Sequence, residues 1–365
     1  MAALAAARLT RPSALHALAP LRLASCSSLI ARTGPSTALN HRLDGSHRRR
    51  LHQAAPLAHE NPLGIPRREA NPAPKLPRRG GPPPRSRIRG VKNIIVVASG
   101  KGGVGKSTVA ANLALALAKT SPLGRAPRVG LLDLDIFGPS VPMLMGLDHA
   151  GEPAMNEQNK LLPLQNHGIK TMSIGYLLPP DPNTPVVWRG LMVQKAVQQL
   201  LFDVDWTDGQ GDLDVLVIDM PPGTGDVQLS LGQLVVVDGA VIVSTPQDIA
   251  LIDARKGVAM FQKVNVPITG LLLNMSHYTC SSCSVPHELF GSADKFTKAA
   301  NELGLEVLGN VPLVTSVSDG GDAGRPVMTQ SSPEGDEVRS TMRSVAERVW
   351  DWLASRPREN VGVRG

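Results

Sequence analysis

From residue 91 onward, aliphatic runs of strand length alternate with stretches in which apolar positions recur every three or four residues. The strand-like runs are "NIIVVA", "RVGLLDLD", "IKTMSIG", "LDVLVID", "DGAVIVSTP", "ITGLLLN" and "LEVLGNVP". Between them lie "KSTVAANLALALAK", "RGLMVQKAVQQLLFD", "ALIDARKGVAMFQKV" and "KFTKAANEL", and "EVRSTMRSVAERVWDWLA" closes the pattern. Strands of unbroken Val, Ile and Leu separated by helices predict an α/β fold, a mainly parallel twisted sheet with helices on both faces. Aromatic residues make up only 3% of the chain, so the core is expected to be aliphatic. The folded body is expected over residues 91–355, with 356–365 as a disordered tail. The last helix aligns Val338, Met342, Val345, Val349 and Trp352 on one stripe, and its mixed charges point to packing on the core.

The pattern is absent before residue 91. Residues 1–35 carry Arg8, Arg11, Arg22 and Arg32, are rich in Ala, Leu and Ser, and contain no acidic residue. That composition is the pattern of a mitochondrial transit peptide, with chloroplast import and a plain disordered tail as the alternative readings. Residues 36–90 are dense in Pro, Gly and Arg and poor in large apolar residues, so they cannot offset their ordering entropy and read as a disordered linker. Charge follows the same division. Residues 1–90 hold 16 basic and 3 acidic side chains, whereas the remainder holds 22 and 28. The net charge of +7 therefore belongs to the leader, and the acidic body offers no nucleic-acid footprint. No apolar run reaches the roughly 18 residues of a membrane span, so no membrane insertion is expected.

The segment "GKGGVGKST" supplies the first chemistry. Gly100, Lys101, Gly102, Gly103, Val104, Gly105, Lys106 and Ser107 fit G-x-x-x-x-G-K-[ST], placed after a strand and opening a helix, with Thr108 next in line. Glycines let several backbone N–H groups point at phosphate oxygens beside the positive end of the helix. Lys106 is expected to neutralise the terminal phosphates of ATP, and the Ser107 hydroxyl to ligate Mg2+. "LLDLD" sets Asp133 and Asp135 at a strand's C-terminal end, where open α/β sheets bind ligands. "VLVID" ends in Asp219, a carboxylate suited to the metal shell, and the glycines of the following "MPPGTGD" suit sensing of the γ-phosphate.

Cysteine usage is sparse: three in 365 residues, which excludes a disulfide scaffold. Cys280 and Cys283 form C-x-x-C in a polar stretch. Three readings fit the spacing: a redox dithiol, a zinc site completed by His277 and His287, or half of the four thiolates of a 4Fe-4S cluster.

Lys101, directly after the first glycine, resembles the signature lysine of the deviant Walker A loop of MinD/ParA-like P-loop NTPases. "LLDLDIFGPSVPMLMG", "VVWRG", "DMPPGTGDVQLSL" and "NM" followed by C-x-x-C resemble the Mrp, or nucleotide-binding-protein, branch of that class, which carries iron–sulfur clusters. "GAVIVSTPQDIALIDARKG" and the leader are similar to the mitochondrial members that serve assembly of respiratory complex I. The resemblance spans residues 91–353. It implies a slow ATPase that is a homodimer through its nucleotide face, with Lys101 reaching a nucleotide across the interface. Asp135, with Asp133 second, would orient the attacking water, and Asn274 would read the adenine. If two chains meet face to face, two cysteine pairs make one four-thiolate site for a cluster handed to complex I subunits in the mitochondrial matrix. In relatives glycine or a basic residue often follows the second cysteine, where this chain has Ser284. Two rival readings remain: a positioning ATPase switch that binds membrane or DNA, and a zinc-stabilised metabolic ATPase.

Overall fold

The computed structural model describes residues 85–356 except 121, 179–188 and 281, together with residues 362–364. All lie in the unit Leu76–Gly365; the transit segment, most of the expected linker and Trp188 of "VVWRG" fall outside the described residues.

The elements follow in chain order. Strand β1 (Arg87–Ile88) precedes β2 (Ile94–Ser99), helix α1 (Lys106–Lys119), β3 (Val129–Asp133) and the short α2 (Val141–Leu144). Next come β4 (Leu164–Asn166), β5 (Ile169–Ser173), α3 (Gly190–Phe202), β6 (Val215–Asp219), α4 (Asp226–Leu234), β7 (Gly239–Ser244) and α5 (Asp248–Lys263). Then follow β8 (Ile268–Asn274), the hairpin β9 (Tyr278–Thr279) and β10 (Pro286–His287), α6 (Ala293–Glu302), β11 (Val307–Val311), α7 (Thr315–Asp322), α8 (Asp336–Ser355) and β12 (Val363–Arg364). Eight strands form the main sheet in the order β11-β8-β7-β2-β6-β3-β5-β4, parallel throughout except for β4 at one edge.

Strands β2, β3, β6, β7 and β8 are buried along their whole length because helices cover both faces. The pleat sends Ile94, Val96 and Ala98 into the core beneath α3–α6, and Ile95 and Val97 into the core beneath α1 and α8. Alanines at 110, 111, 114 and 116 let α1 lie close on the sheet. On α8, Val338, Met342, Val345 and Val349 are buried, so the stripe packs on the core as its charge pattern implied; Trp352 is half-buried. Among the described residues no helix is long and apolar enough to cross a membrane.

Two short strands depart from the expected linker and tail. Arg87 and Ile88 pair in parallel with Val363 and Arg364, and Ile88 is buried in the core. One apolar side chain in a Pro/Arg-rich context was too weak a signal to reveal this long-range pairing.

Below the sheet, Asp214 is buried and accepts from Arg125 at 2.7 and 2.8 Å, Lys92 at 3.0 Å and the Arg128 N–H at 2.9 Å. Burial opposes ionisation, but these donors outweigh it and draw the carboxyl from 3.8 to about 2. A depressed carboxyl stabilises the fold above its unfolded pKa and loses that contribution as pH falls through its folded value. Asp214→Asn is therefore expected to cost roughly 2 kcal/mol at neutral pH. In urea titrations the gap to wild type should close between about pH 4 and pH 2; a gap independent of pH would contradict the ionic account.

Candidate functional site

The phosphate loop leaves the C-terminal end of β2, at the centre of the sheet, and enters α1. Gly100 and Gly105 leave no room for a side chain. A Cβ on Gly100 would lie 2.2 Å from the Asp253 carbonyl of α5, and Gly105 combines φ 79° with Asn274 Nδ2 2.3 Å from where a Cβ would stand. Around Gly102 and Gly103 nothing lies within 4 Å of such a Cβ, so the loop opens onto free space there. Helix α1 has no acidic residue in its first turn, which leaves its N-terminal dipole and N–H groups to an anion.

Register explains the carboxylates. Asp133 and Asp219 face each other on β3 and β6, and Ser173 faces Asp133 on β5. Asp133 is fully buried and accepts from the Asp135 N–H at 3.0 Å, the Val141 N–H at 3.2 Å and the Ser173 hydroxyl at 3.0 Å. Burial, and then the charge of Asp219, push its carboxyl up to about 7. With both oxygens occupied, Asp133 braces the turn into α2. Asp135, two residues on, is half-buried and borders an apolar cavity of about 300 Å³. Burial raises its pKa against the pull of Lys106.

Lys106 is buried and donates to Asp219 at 2.5 Å and to the Ser107 hydroxyl at 3.1 Å. Burial raises the Asp219 pKa, and the Lys106 ammonium opposes the rise. The second oxygen of Asp219 is buried without a hydrogen-bond partner. An orphaned carboxylate oxygen near a serine hydroxyl fits a small divalent cation, which prefers hard oxygen ligands. The glycine cradle and Lys106 fit a polyphosphate.

Lys101 lies apart from Lys106 and donates to Gln247 Oε1 at 3.0 Å, at the entry to α5. Sequence reasoning missed Gln247; its signal was a polar residue immediately after the strand "GAVIVSTP", at the ligand-binding end of the sheet. Asn274, at the end of β8, donates to the Val104 carbonyl at 2.7 Å and so steadies the phosphate loop. It also borders, with Thr108, Met275 and Leu313, a cavity of about 240 Å³ beside α1.

Six residues beyond Asn274 comes Cys280. The hairpin β9–β10 carries both cysteines at its tip, closed by Cys280 N–H to Val285 O at 3.0 Å and Ser284 N–H to Cys280 O at 2.8 Å. Ser284 adopts φ 55°, a left-handed conformation that glycine reaches without strain, which gives glycine in this position its physical reason. Cys283 is exposed and Cys280 half-buried. The N–H groups of Cys283 and Ser282 turn toward the Cys280 sulfur and hold its thiol below the usual range. His277 is turned away, to the Ser276 hydroxyl at 3.0 Å and Glu337 at 3.4 Å. Among the described residues no group of three or more His, Cys, Asp or Glu side chains gathers into a metal site. A zinc site completed by His277 and His287 would first need His277 to leave Ser276 and Glu337.

A central parallel sheet, a phosphate loop with two lysines and facing carboxylates define a P-loop NTPase fold of the MinD/ParA type. The family model for ParA, described as the NUBPL iron-transfer P-loop NTPase, matches residues 90–350, and the chain belongs to that family. It is 52% identical over 269 residues to the mouse iron-sulfur cluster transfer protein NUBPL, covering 74% of this chain and 80% of the relative. It is 48% identical over 270 residues to the Arabidopsis thaliana iron-sulfur protein required for NADH dehydrogenase, mitochondrial, covering 74% and 82%. Among solved structures, the nucleotide-binding protein in complex with ADP from Archaeoglobus fulgidus superposes with a TM-score of 0.56 at 32% identity, over 75% of this chain and 96% of that one. The Pyrococcus furiosus cell division ATPase MinD, with a TM-score of 0.50 and 20% identity over 71% and 98%, shares the fold.

Proposed function

We propose that this chain is an ATP-dependent iron–sulfur carrier that assembles a 4Fe-4S cluster between two copies of itself and delivers it to respiratory complex I subunits in the mitochondrial matrix. One observation carries the reading: two thiols, half the number that a four-thiolate cluster needs, sit on a hairpin that follows the strand end bracing the phosphate loop. Soft thiolates suit an iron–sulfur cargo. The mouse relative is named an iron-sulfur cluster transfer protein and the Arabidopsis relative an iron-sulfur protein required for NADH dehydrogenase, which supports the cargo and the complex I client.

Dimerisation has its own support. Phe137, Ile249 and Leu289, which follow Asp135, Gln247 and the cysteine hairpin in sequence, are 69%, 62% and 58% exposed. Apolar residues left in water beside functional loops suit a partner surface. Lys101, held by a single neutral acceptor, is free to leave Gln247 for a nucleotide across that surface. Asp135 is the residue to orient the attacking water, because Asp133 has no free oxygen. Ser107 and Asp219 would hold Mg2+, which supplies neutralisation of phosphate charge. The base would enter the cavity beside Asn274.

Anaerobic purification followed by iron, sulfide and zinc quantification tests the cargo. Iron and sulfide in equal amounts are expected; zinc in their place would refute it. Truncation tests the address. Without residues 1–35 the chain should keep its fold and stay in the cytosol, as followed by imaging; import of the truncated chain would refute the leader.

A further inference from the structure

The loop of residues 220–225, between β6 and α4, is the segment suited to sensing the terminal phosphate. Part of it is held from the sheet, with the Met220 N–H on Val97 O at 3.0 Å and the Gly223 N–H on Ser99 O at 2.9 Å. The rest is held by one side chain. Gln228, in the first turn of α4, is 1% exposed, and its Nε2 donates to Pro221 O at 2.8 Å and Gly223 O at 3.0 Å. Its Oε1 is buried with no partner and stands 3.5 Å from where a Cβ on Gly225 would lie.

A packing role explains this poorly. Leucine or methionine would fill the same space without burying an unpaired acceptor, which carries a desolvation cost. The amide is useful only for what it holds, two carbonyls of the glycine loop. The apolar cavity that Asp135 borders continues along Pro221, Pro222 and Gly225, so the loop has room to shift on that side. A shift of the Pro221 or Gly223 carbonyl away from Gln228 would cost a bond to Nε2.

We propose that Gln228 is a positioning residue that sets the register of residues 221–225 and, through it, the response of the site to the terminal phosphate. The second half rests on the nucleotide reading above; the first does not. Two variants of the full chain test it. Gln228→Met keeps the packing and removes both donors. Hydrogen exchange of nucleotide-free protein should then be about tenfold or more faster at Gly223, whose N–H is held by Ser99 O, with the buried strands unchanged. Its kcat for ATP should fall about tenfold while KM and ADP affinity stay within about twofold. Gln228→Glu keeps one donor only while its buried carboxyl is protonated, and burial raises that pKa. Its ATPase rate should therefore drop from about pH 6 to about pH 8 relative to wild type, while Gln228→Met stays low at both.

Unchanged exchange and kcat in Gln228→Met would overturn the proposal. So would a parallel loss of ADP affinity, which marks a general structural defect. Should wild type neither bind nor hydrolyse ATP, the nucleotide reading fails, and the nucleotide-free exchange comparison still decides whether Gln228 holds the loop.

Discussion

Lys106→Ala weakens nucleotide binding about a hundredfold or more, whereas Lys101→Ala leaves it within a few-fold of wild type; this is the first expected result of the account. Lys106 sits buried at the mouth of the phosphate loop, and its ammonium is already paired with Asp219 at 2.5 Å. Its removal takes away the cation that faces the phosphates and leaves the Asp219 carboxylate uncompensated. Affinity should fall about a hundredfold or more, at least about 2.7 kcal/mol. Among the described residues the Lys101 ammonium has Gln247 Oε1 as its one hydrogen-bond acceptor, at 3.0 Å, so its loss removes little from the monomer's site. What should disappear is the ATP-dependent dimer, and with it hydrolysis, by about a hundredfold or more if the lysine acts in trans as an arginine finger does. Equilibrium titration with a fluorescent nucleotide, together with sedimentation, separates the two. Equal loss of binding in both variants would end the division of labour.

The second large effect concerns the hairpin. Cys280→Ser or Cys283→Ser should abolish cluster binding, because a hydroxyl is a poor replacement for a thiolate ligand. Nucleotide affinity should stay nearly unchanged, since the phosphate contacts come from a different loop. In cells the double variant should lower complex I and spare other respiratory complexes. Normal iron and sulfide in the double variant would refute the ligand assignment; intact complex I in those cells would refute the client alone.

Much of this was legible because it is contiguous. The phosphate loop is a single run, and strands such as "LDVLVID" announce themselves by unbroken aliphatic residues that only a two-sided core requires. The carboxylates were found by their place at strand ends, and the resemblance put Asp135 before Asp133, but the physical reason for that order was not legible. That Asp133 is a brace and Asp135 faces a cavity depends on β3 lying between β5 and β6, with Ser173 and Asp219 in register. Sequence spacing carries no such information. Asn274 was expected at the base, and the structure adds its bond to Val104 O, which comes from folding a residue 170 positions away back onto the loop. Gln247 and Gln228 were passed over because a lone glutamine is chemically silent until its acceptor or donors are seen. Helix α4 was hidden by glycine-rich sequence before it, and its nine residues are too few to show a strong period.

The central claim is that each chain supplies half of one cluster site. Native mass spectrometry of anaerobically purified, full-length mature protein measures it directly, because chain number and metal content are read from the same ion. The account predicts a dimer carrying one 4Fe-4S cluster, about four irons and four sulfides per two chains, with monomers free of iron. A complete cluster on a single chain, or zinc at the cysteine hairpin, would contradict it.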